Sequence, residues 1–204
     1  MSTLLTLPSL KRWLIELNLE LDRVLSCVYA WDDRKTLNDI EFYVVVLEDR
    51  RFFQHDGLDR KSVLREIWRA CTLRRHGGAS TIDMQFVRTV TGRYERTLKR
   101  KMREVLISRL LRYHVSKHAV LRSYLDIAYF GTGLSGVYSV ADSLFDCAPS
   151  QLSGKDAAFV ASMLVSPRPR MPSQEWFVKV LARAEYALSV GSGLEESFQK
   201  IGMR

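Results

Sequence analysis

Apolar residues in this chain recur at spacings of three and four, and period-two alternation is rare. Such a chain folds mostly as helices that each bury one stripe. Cap signals stand where the stripes stop. "GLDRKSVLREIWRACTLRRHGG" puts Val63, Leu64, Ile67, Trp68 and Cys71 on one face and ends at a glycine pair. "STIDMQFVRTVTG" opens with Ser80, carries Asp83 three positions on in a capping-box pattern, and closes at Gly92. "SKHAVLRSYLDIAYFG" runs from an expected N-cap at Ser116 to Gly131. Ser153 with Asp156 opens a helix through "AAFVASMLV", which Pro167 and Pro169 stop. "SQEWFVKVLARAEYALSVG" reads as a last helix with Trp176, Val180, Ala184 and Leu188 in phase. "FYVVVL" admits two readings, a short strand or the start of a buried helix. The expected fold class is mainly α.

The 204 residues suffice for one well-buried domain, or one domain with a small lobe. A hydrophobic fraction of 47% with 26% charged residues excludes global disorder. The net charge of +8 favours an anionic partner: nucleic acid, phospholipid headgroups or a phosphorylated substrate. Three cysteines, Cys27, Cys71 and Cys147, form no C-x-x-C pair, so neither a zinc site nor a disulfide framework is expected. Near the N-terminus, Lys11, Arg12, Glu16, Glu20, Asp22 and Arg23 break up the apolar residues. A spanning helix needs about 20 mainly apolar residues and a signal peptide needs an unbroken apolar core. Neither occurs there. Trp13, Leu14, Leu17, Leu21, Val24, Leu25 and Val28 instead mark an amphipathic helix, for packing on the domain or, less commonly, docking on a membrane surface. Residues 1–40 are thus expected as an amphipathic helical segment ahead of a domain over 41–204.

Two segments bear on chemistry. "VVVLEDRRFFQHDG" brings the acidic pair Glu48 and Asp49 straight out of an apolar run. In "ERTLKRKMREVLISRLLRY", Leu98, Met102, Val105, Leu106, Leu110 and Tyr113 fall on one side, with Arg96, Arg100 and Glu104 aligned opposite. A charge run of this kind is ordinarily a solvated face. Upstream, however, Thr81, Gln85 and Arg88 also share a face. Two carboxylates, several arginines and an amide lining one cleft suit transfer of a sugar from a phosphate leaving group. One carboxylate takes the proton of the attacking hydroxyl, and the cations neutralise charge on the departing phosphate.

These segments resemble the motifs of the peptidoglycan glycosyltransferases, glycosyltransferase family 51. "EDRRFFQHDG" is similar to E-D-x-x-F-x-x-H-x-G, "GASTIDMQFVR" to G-x-S-T-I-x-x-Q with a following basic residue, and "RKMRE" to R-K-x-x-E. "YLDIAYFGTGLSGVYSVADSLF" and "LSGKDAAFVASMLVSPRPRMP" resemble the last two motifs, in family order. The resemblance implies a lysozyme-like helical head with a small membrane-facing jaw lobe, about residues 58–78. It implies polymerisation of lipid II into β-1,4-linked glycan strands, with inversion and release of undecaprenyl diphosphate. It makes Glu48 the general base, Asp49 its orienting neighbour, and Glu104 the second glutamate, near the donor pyrophosphate. Ser80, Thr81, Gln85, Arg88, Arg96, Arg100 and Lys101 are then the substrate-binding set. His55 is read as a packing or hydrogen-bonding residue. No cofactor is required, no dedicated metal site is expected, and the resemblance leaves room for Mg or Mn at the donor diphosphate.

The implied partners are lipid II, the growing strand, the outer face of the cytoplasmic membrane, and a cell-wall assembly protein; nucleic acid is not among them. No S-x-x-K with a companion K-T-G is found, so the expected enzyme is a monofunctional hexosyltransferase without transpeptidase chemistry. Asp83 and Met84 stand where the family usually has Thr-Gln, Asp126 where it has Asn, Asp146 where it has Gly, and Asp156 where it has Glu. Asp83 is expected to bring negative charge near the diphosphate. That expectation, together with Asp126 and the lack of a spanning tether in the sequence read, motivates the alternative of a non-catalytic homologue that binds lipid-linked wall precursors or an assembly partner.

Overall fold

A computed structural model describes residues 7–28, 34–59 and 80–203. The expected helix and jaw lobe over 58–78 lie almost entirely outside these residues. Within them the chain is mainly α, with one two-stranded sheet.

The ambiguous run "FYVVVL" is helical. It belongs to α2, Asp39–Glu48, whose start is fixed by a capping box. Asn38 Oδ1 accepts from the Glu41 N–H at 2.9 Å, and Glu41 Oε2 accepts from the Asn38 N–H at 3.1 Å. Ile40, Phe42, Val44, Val45 and Val46 are almost fully buried, which a helix apolar on all sides requires. α2 is therefore the central element, packed by α7 (Gly154–Met163) and α8 (Gln174–Lys200). Because α2 is surrounded, its C-terminal residue Glu48 emerges where the core ends.

α8 runs further than the sequence suggests. Gly191, at which the segment read as this helix closes, lies inside it. A Cβ there would stand 3.0 Å from Tyr43 Cε1 and 3.1 Å from Phe42 Cε1. This glycine lets two helices approach closely rather than ending one of them.

α3 spans Ile82–Thr91 and ends at Gly92, which is left-handed at φ +66°. Its N-cap is Thr81, one residue later than the expected Ser80, and Asp83 caps nothing. α4 spans Leu98–Leu111 after the N-cap Thr97, and α5 spans Lys117–Ile127 after the expected N-cap Ser116. α5 stops short of Gly131, because Tyr129–Gly131 forms β1, paired antiparallel with β2, Leu134–Ser135. α6, Val137–Phe145, follows.

α4 corrects the expected division of faces. Leu98, Met102 and Tyr113 are 77%, 55% and 80% exposed, whereas Arg103, Glu104, Ile107, Ser108 and Leu111 are buried. The polar residues turn inward because partners await them. Arg103 donates to Glu20 and to Glu16 at 2.7 Å each, both on α1, Leu7–Ser26. α1 packs on α3 and α4 through Leu17, Leu21 and Val24, in the same core as the rest. No helix of the described residues is long and apolar enough to cross a membrane.

Candidate active site

Helix α3 carries the contacts that organise the site. Gln85 and Arg88, three positions apart, project from one face of it. Gln85 Nε2 donates to Glu48 Oε2 at 3.1 Å, and Arg88 Nε donates to Glu104 Oε1 at 2.9 Å. One short helix thus ties the end of α2 to the middle of α4, and fixes the two glutamates in relation to each other.

Glu48 is held on both oxygens. Arg183 Nη2, from α8, donates to Oε1 at 3.1 Å. Gln85 is itself fixed, its Oε1 accepting from the Tyr124 hydroxyl of α5 at 2.8 Å. Burial, with the Glu48 carboxylate adding to it, raises the Tyr124 hydroxyl above the ordinary tyrosine range, so it remains a donor. The Glu48 side chain keeps 11% exposure, enough for a proton acceptor to reach a substrate.

Glu104 is 2% exposed and sits among cations. Besides Arg88, Arg100 Nη1 donates to its Oε1 at 2.8 Å, and Lys101 Nζ lies 3.8 Å from its Oε2. Three cations around one carboxylate leave a local charge of +2. Ser80 joins them, its hydroxyl oxygen accepting from Lys101 Nζ at 2.8 Å and from Arg88 Nη2 at 3.2 Å. Burial lowers the Lys101 ammonium below the ordinary lysine range; Glu104 opposes this, and Arg88 and Arg100 reinforce it. The Lys101 and Arg88 side chains stay 33% and 24% exposed, so the cluster opens to an outside anion. Such a set of fixed donors matches phosphate oxygens.

Asp49, although next to Glu48, has different surroundings. It is buried, and its Oδ2 accepts from His55 Nε2 at 2.8 Å and from the Ile82 N–H at 3.3 Å, at the start of α3. It is a positioning carboxylate that seats α3 against α2, and His55 hydrogen-bonds as expected. Thr81 is also structural in its contacts, donating to the Gly57 carbonyl at 2.9 Å and accepting from the Met84 N–H. Asp83 points away from the cation cluster, accepting from Lys117 Nζ of α5 at 2.6 Å. Its carboxylate therefore balances a partly buried lysine. Burial raises the Asp83 carboxyl, and Lys117 pulls it back down.

Arg96, like Thr81, is a substrate-binding candidate that the structure does not bring to the cluster. It precedes α4, is exposed, and makes no ion pair among the described residues. Thr97 starts the helix after it, so the expected alignment of Arg96 with Arg100 is lost. Conversely, sequence reading missed Arg183, Tyr124 and Lys117. Arg183 lies 135 residues from its partner in a helix whose charges look solvated, so no spacing announced it.

Asp49, His55 and Asp83 offer ligand atoms within 4.8 Å of one another, the one such group among the described residues. They do not fit a dication, because the Lys117 ammonium already lies against Asp83 and His55 is bonded to Asp49. The Glu104 carboxylate is likewise fully engaged by cations.

Glu48, paired with Arg183 and Gln85 but not with the cation cluster, thus stands beside a wall of net positive charge built on Glu104. The transglycosylase family model matches residues 34–190. The chain belongs to the transglycosylase family. The chain is similar to penicillin-binding protein 1A of Rickettsia typhi, at 32% identity over 148 residues, 71% of this chain and 19% of the relative. It matches the biosynthetic peptidoglycan transglycosylase of Nitrosomonas eutropha at 32% over 143 residues, 69% of this chain and 58% of the relative. It matches penicillin-binding protein 2a of Streptococcus pneumoniae at 34% over 124 residues, 61% of this chain and 17% of the relative. The chain thus spans about a fifth of the penicillin-binding proteins and over half of the transglycosylase. The mainly α, lysozyme-like head agrees with this family, and α1 lies outside the matched residues.

Proposed function

We propose that the chain polymerises lipid II into β-1,4-linked glycan strands at the outer face of the cytoplasmic membrane. The observation that carries this reading is the pairing made by α3, with Gln85 on Glu48 and Arg88 on Glu104. Glu48 takes the proton of the acceptor 4-hydroxyl as that oxygen attacks the anomeric carbon of the donor. The bond from that carbon to the diphosphate oxygen breaks, its electron pair leaves on the phosphate, and the configuration inverts. Arg88, Arg100 and Lys101, with the Ser80 hydroxyl, hold the diphosphate and stabilise the charge that builds there. Asp49 and Gln85 position rather than react.

The protein's own cations serve the diphosphate, and a divalent ion enters only as a companion of the substrate. The chemistry assigned to these residues is transfer alone, without transpeptidation. The family match does not favour the binding-only alternative, and Asp83, one of the features that motivated it, faces Lys117 instead of the donor cluster.

Purified protein, wild type beside Glu48→Gln, is incubated with labelled lipid II in detergent and the products are resolved on a gel. Polymer from the wild type and none from the variant is the expected result. Polymer from both removes Glu48 as base, and polymer from neither overturns the transferase.

A further inference from the structure

The first turns of α4 present two different surfaces. Arg100 and Lys101 face Glu104, while Leu98 and Met102 are turned outward at 77% and 55% exposure. With Leu10 and Trp13 of α1 they line an open apolar trough of about 740 Å³. Arg12 and Lys99 rim it, and both are exposed. The acidic residue in the lining, Glu16, is held by Arg103 at 2.7 Å and lies 3.5 Å from Arg12.

Contiguous apolar surface of this kind on a soluble domain ordinarily has an occupant. We propose that the trough docks on an anionic phospholipid surface, with Leu98 and Met102 entering the acyl boundary and Arg12 and Lys99 meeting the phosphates. Charge complementarity selects this occupant. An apolar floor with a basic rim is the pattern of interfacial helices. In a second copy of this chain, the same basic rim would face itself, and like charges oppose that contact. The inference deepens the proposed activity, whose lipid-borne substrate requires the cleft to lie at a bilayer. It also assigns a role to α1, which the family match does not reach.

The full chain is co-sedimented with phosphatidylcholine vesicles with and without phosphatidylglycerol. Wild type is expected to bind the phosphatidylglycerol vesicles, and less so as salt rises. Leu98→Ser with Met102→Gln is expected to weaken binding about ten-fold, because two exposed apolar side chains no longer gain burial. This variant should keep wild-type circular dichroism and wild-type polymerisation of lipid II in detergent. Arg12→Gln with Lys99→Gln should abolish the preference for phosphatidylglycerol. Wild type that stays in solution, a trough variant that sediments as well as wild type, or a dimer that the trough variant breaks each overturns the docking. Trough-dependent vesicle binding by a protein with no polymerase activity would sink the activity and leave the docking standing.

Discussion

Arg183 Nη2 lies 3.1 Å from Glu48 Oε1 and, with Gln85 on the other oxygen, clamps the proposed base from two sides. A carboxylate held by two donors presents one orientation to an incoming hydroxyl, which matters because near-attack geometry is a large part of a transfer rate. Arg183→Met should therefore lower kcat about 10–100-fold with little change in KM. Arg183→Lys, which keeps the charge but not the fork, should restore part of the loss. Steady-state kinetics on lipid II reads this directly. A loss confined to KM would make Arg183 a substrate contact instead.

Lys101 gives the site an alkaline limit. Burial lowers its pKa, so it loses its proton at lower pH than an ordinary lysine. In the proposed reaction the protonated form holds the diphosphate, so kcat/KM should fall as pH rises through that lowered value. Lys101→Arg, which stays charged over the accessible range, should move the fall to higher pH. A profile that keeps its position in the variant would assign the limb to another group.

Much of the site could be read in the sequence because its residues lie on short stretches with fixed helical spacing. Gln85 and Arg88 share a face at three residues' separation, and Arg100 and Glu104 pair across one turn. What could not be read were contacts set by tertiary packing. Arg183 reaches Glu48 only because α8 lies along α2, and Asp83 meets Lys117 only because α5 packs on α3. The division of faces on α4 misled for a related reason. Hydrophobic periodicity assumes that charge seeks water, but Arg103 and Glu104 are buried by partners on α1 and α3. The full length of α8 was not legible either, because a glycine that ends a helix and one that admits a neighbouring ring, as Gly191 does, look alike in sequence.

Asp83 and Lys117 form a pair whose parts should be worth more than the whole. Both side chains are largely removed from water, at 3% and 16% exposure. Lys117→Met leaves the Asp83 carboxylate without its counter-charge, at a cost of about 3 kcal/mol at neutral pH. Adding Asp83→Asn should recover much of that loss, a coupling that urea denaturation of the single and double variants measures. The single variant should also have a distinct pH dependence. Burial already raises Asp83, and losing Lys117 removes what lowers it. The folded state then prefers the neutral acid, so Lys117→Met is most stable below the ordinary aspartate pKa. It loses stability as pH rises through the raised value. A Lys117→Met deficit that stays constant across that range would show that Asp83 is not the cause.

Asp146 ends α6 in the left-handed region, at φ +50° and ψ +44°, the single non-glycine residue with positive φ among the described residues. Its backbone N–H still closes the helix on the Asp142 carbonyl at 3.0 Å. The conformation is one that glycine adopts without steric cost, and the Asp146 carboxylate adds a negative charge at the negative end of a helix. Asp146→Gly should therefore stabilise the protein by about 0.5–1 kcal/mol. In a chain of this length that corresponds to a rise in Tm of roughly 1–4 °C. Gly136 supplies the contrast: it too has positive φ, at +80°, but a Cβ there would lie 2.3 Å from the Asp126 carbonyl oxygen. Gly136→Ala should lower Tm, since both the backbone angle and the contact oppose it. Calorimetry of the two variants beside wild type checks the pair. An Asp146→Gly protein that melts below wild type would show that the aspartate makes a contact worth more than the strain it carries.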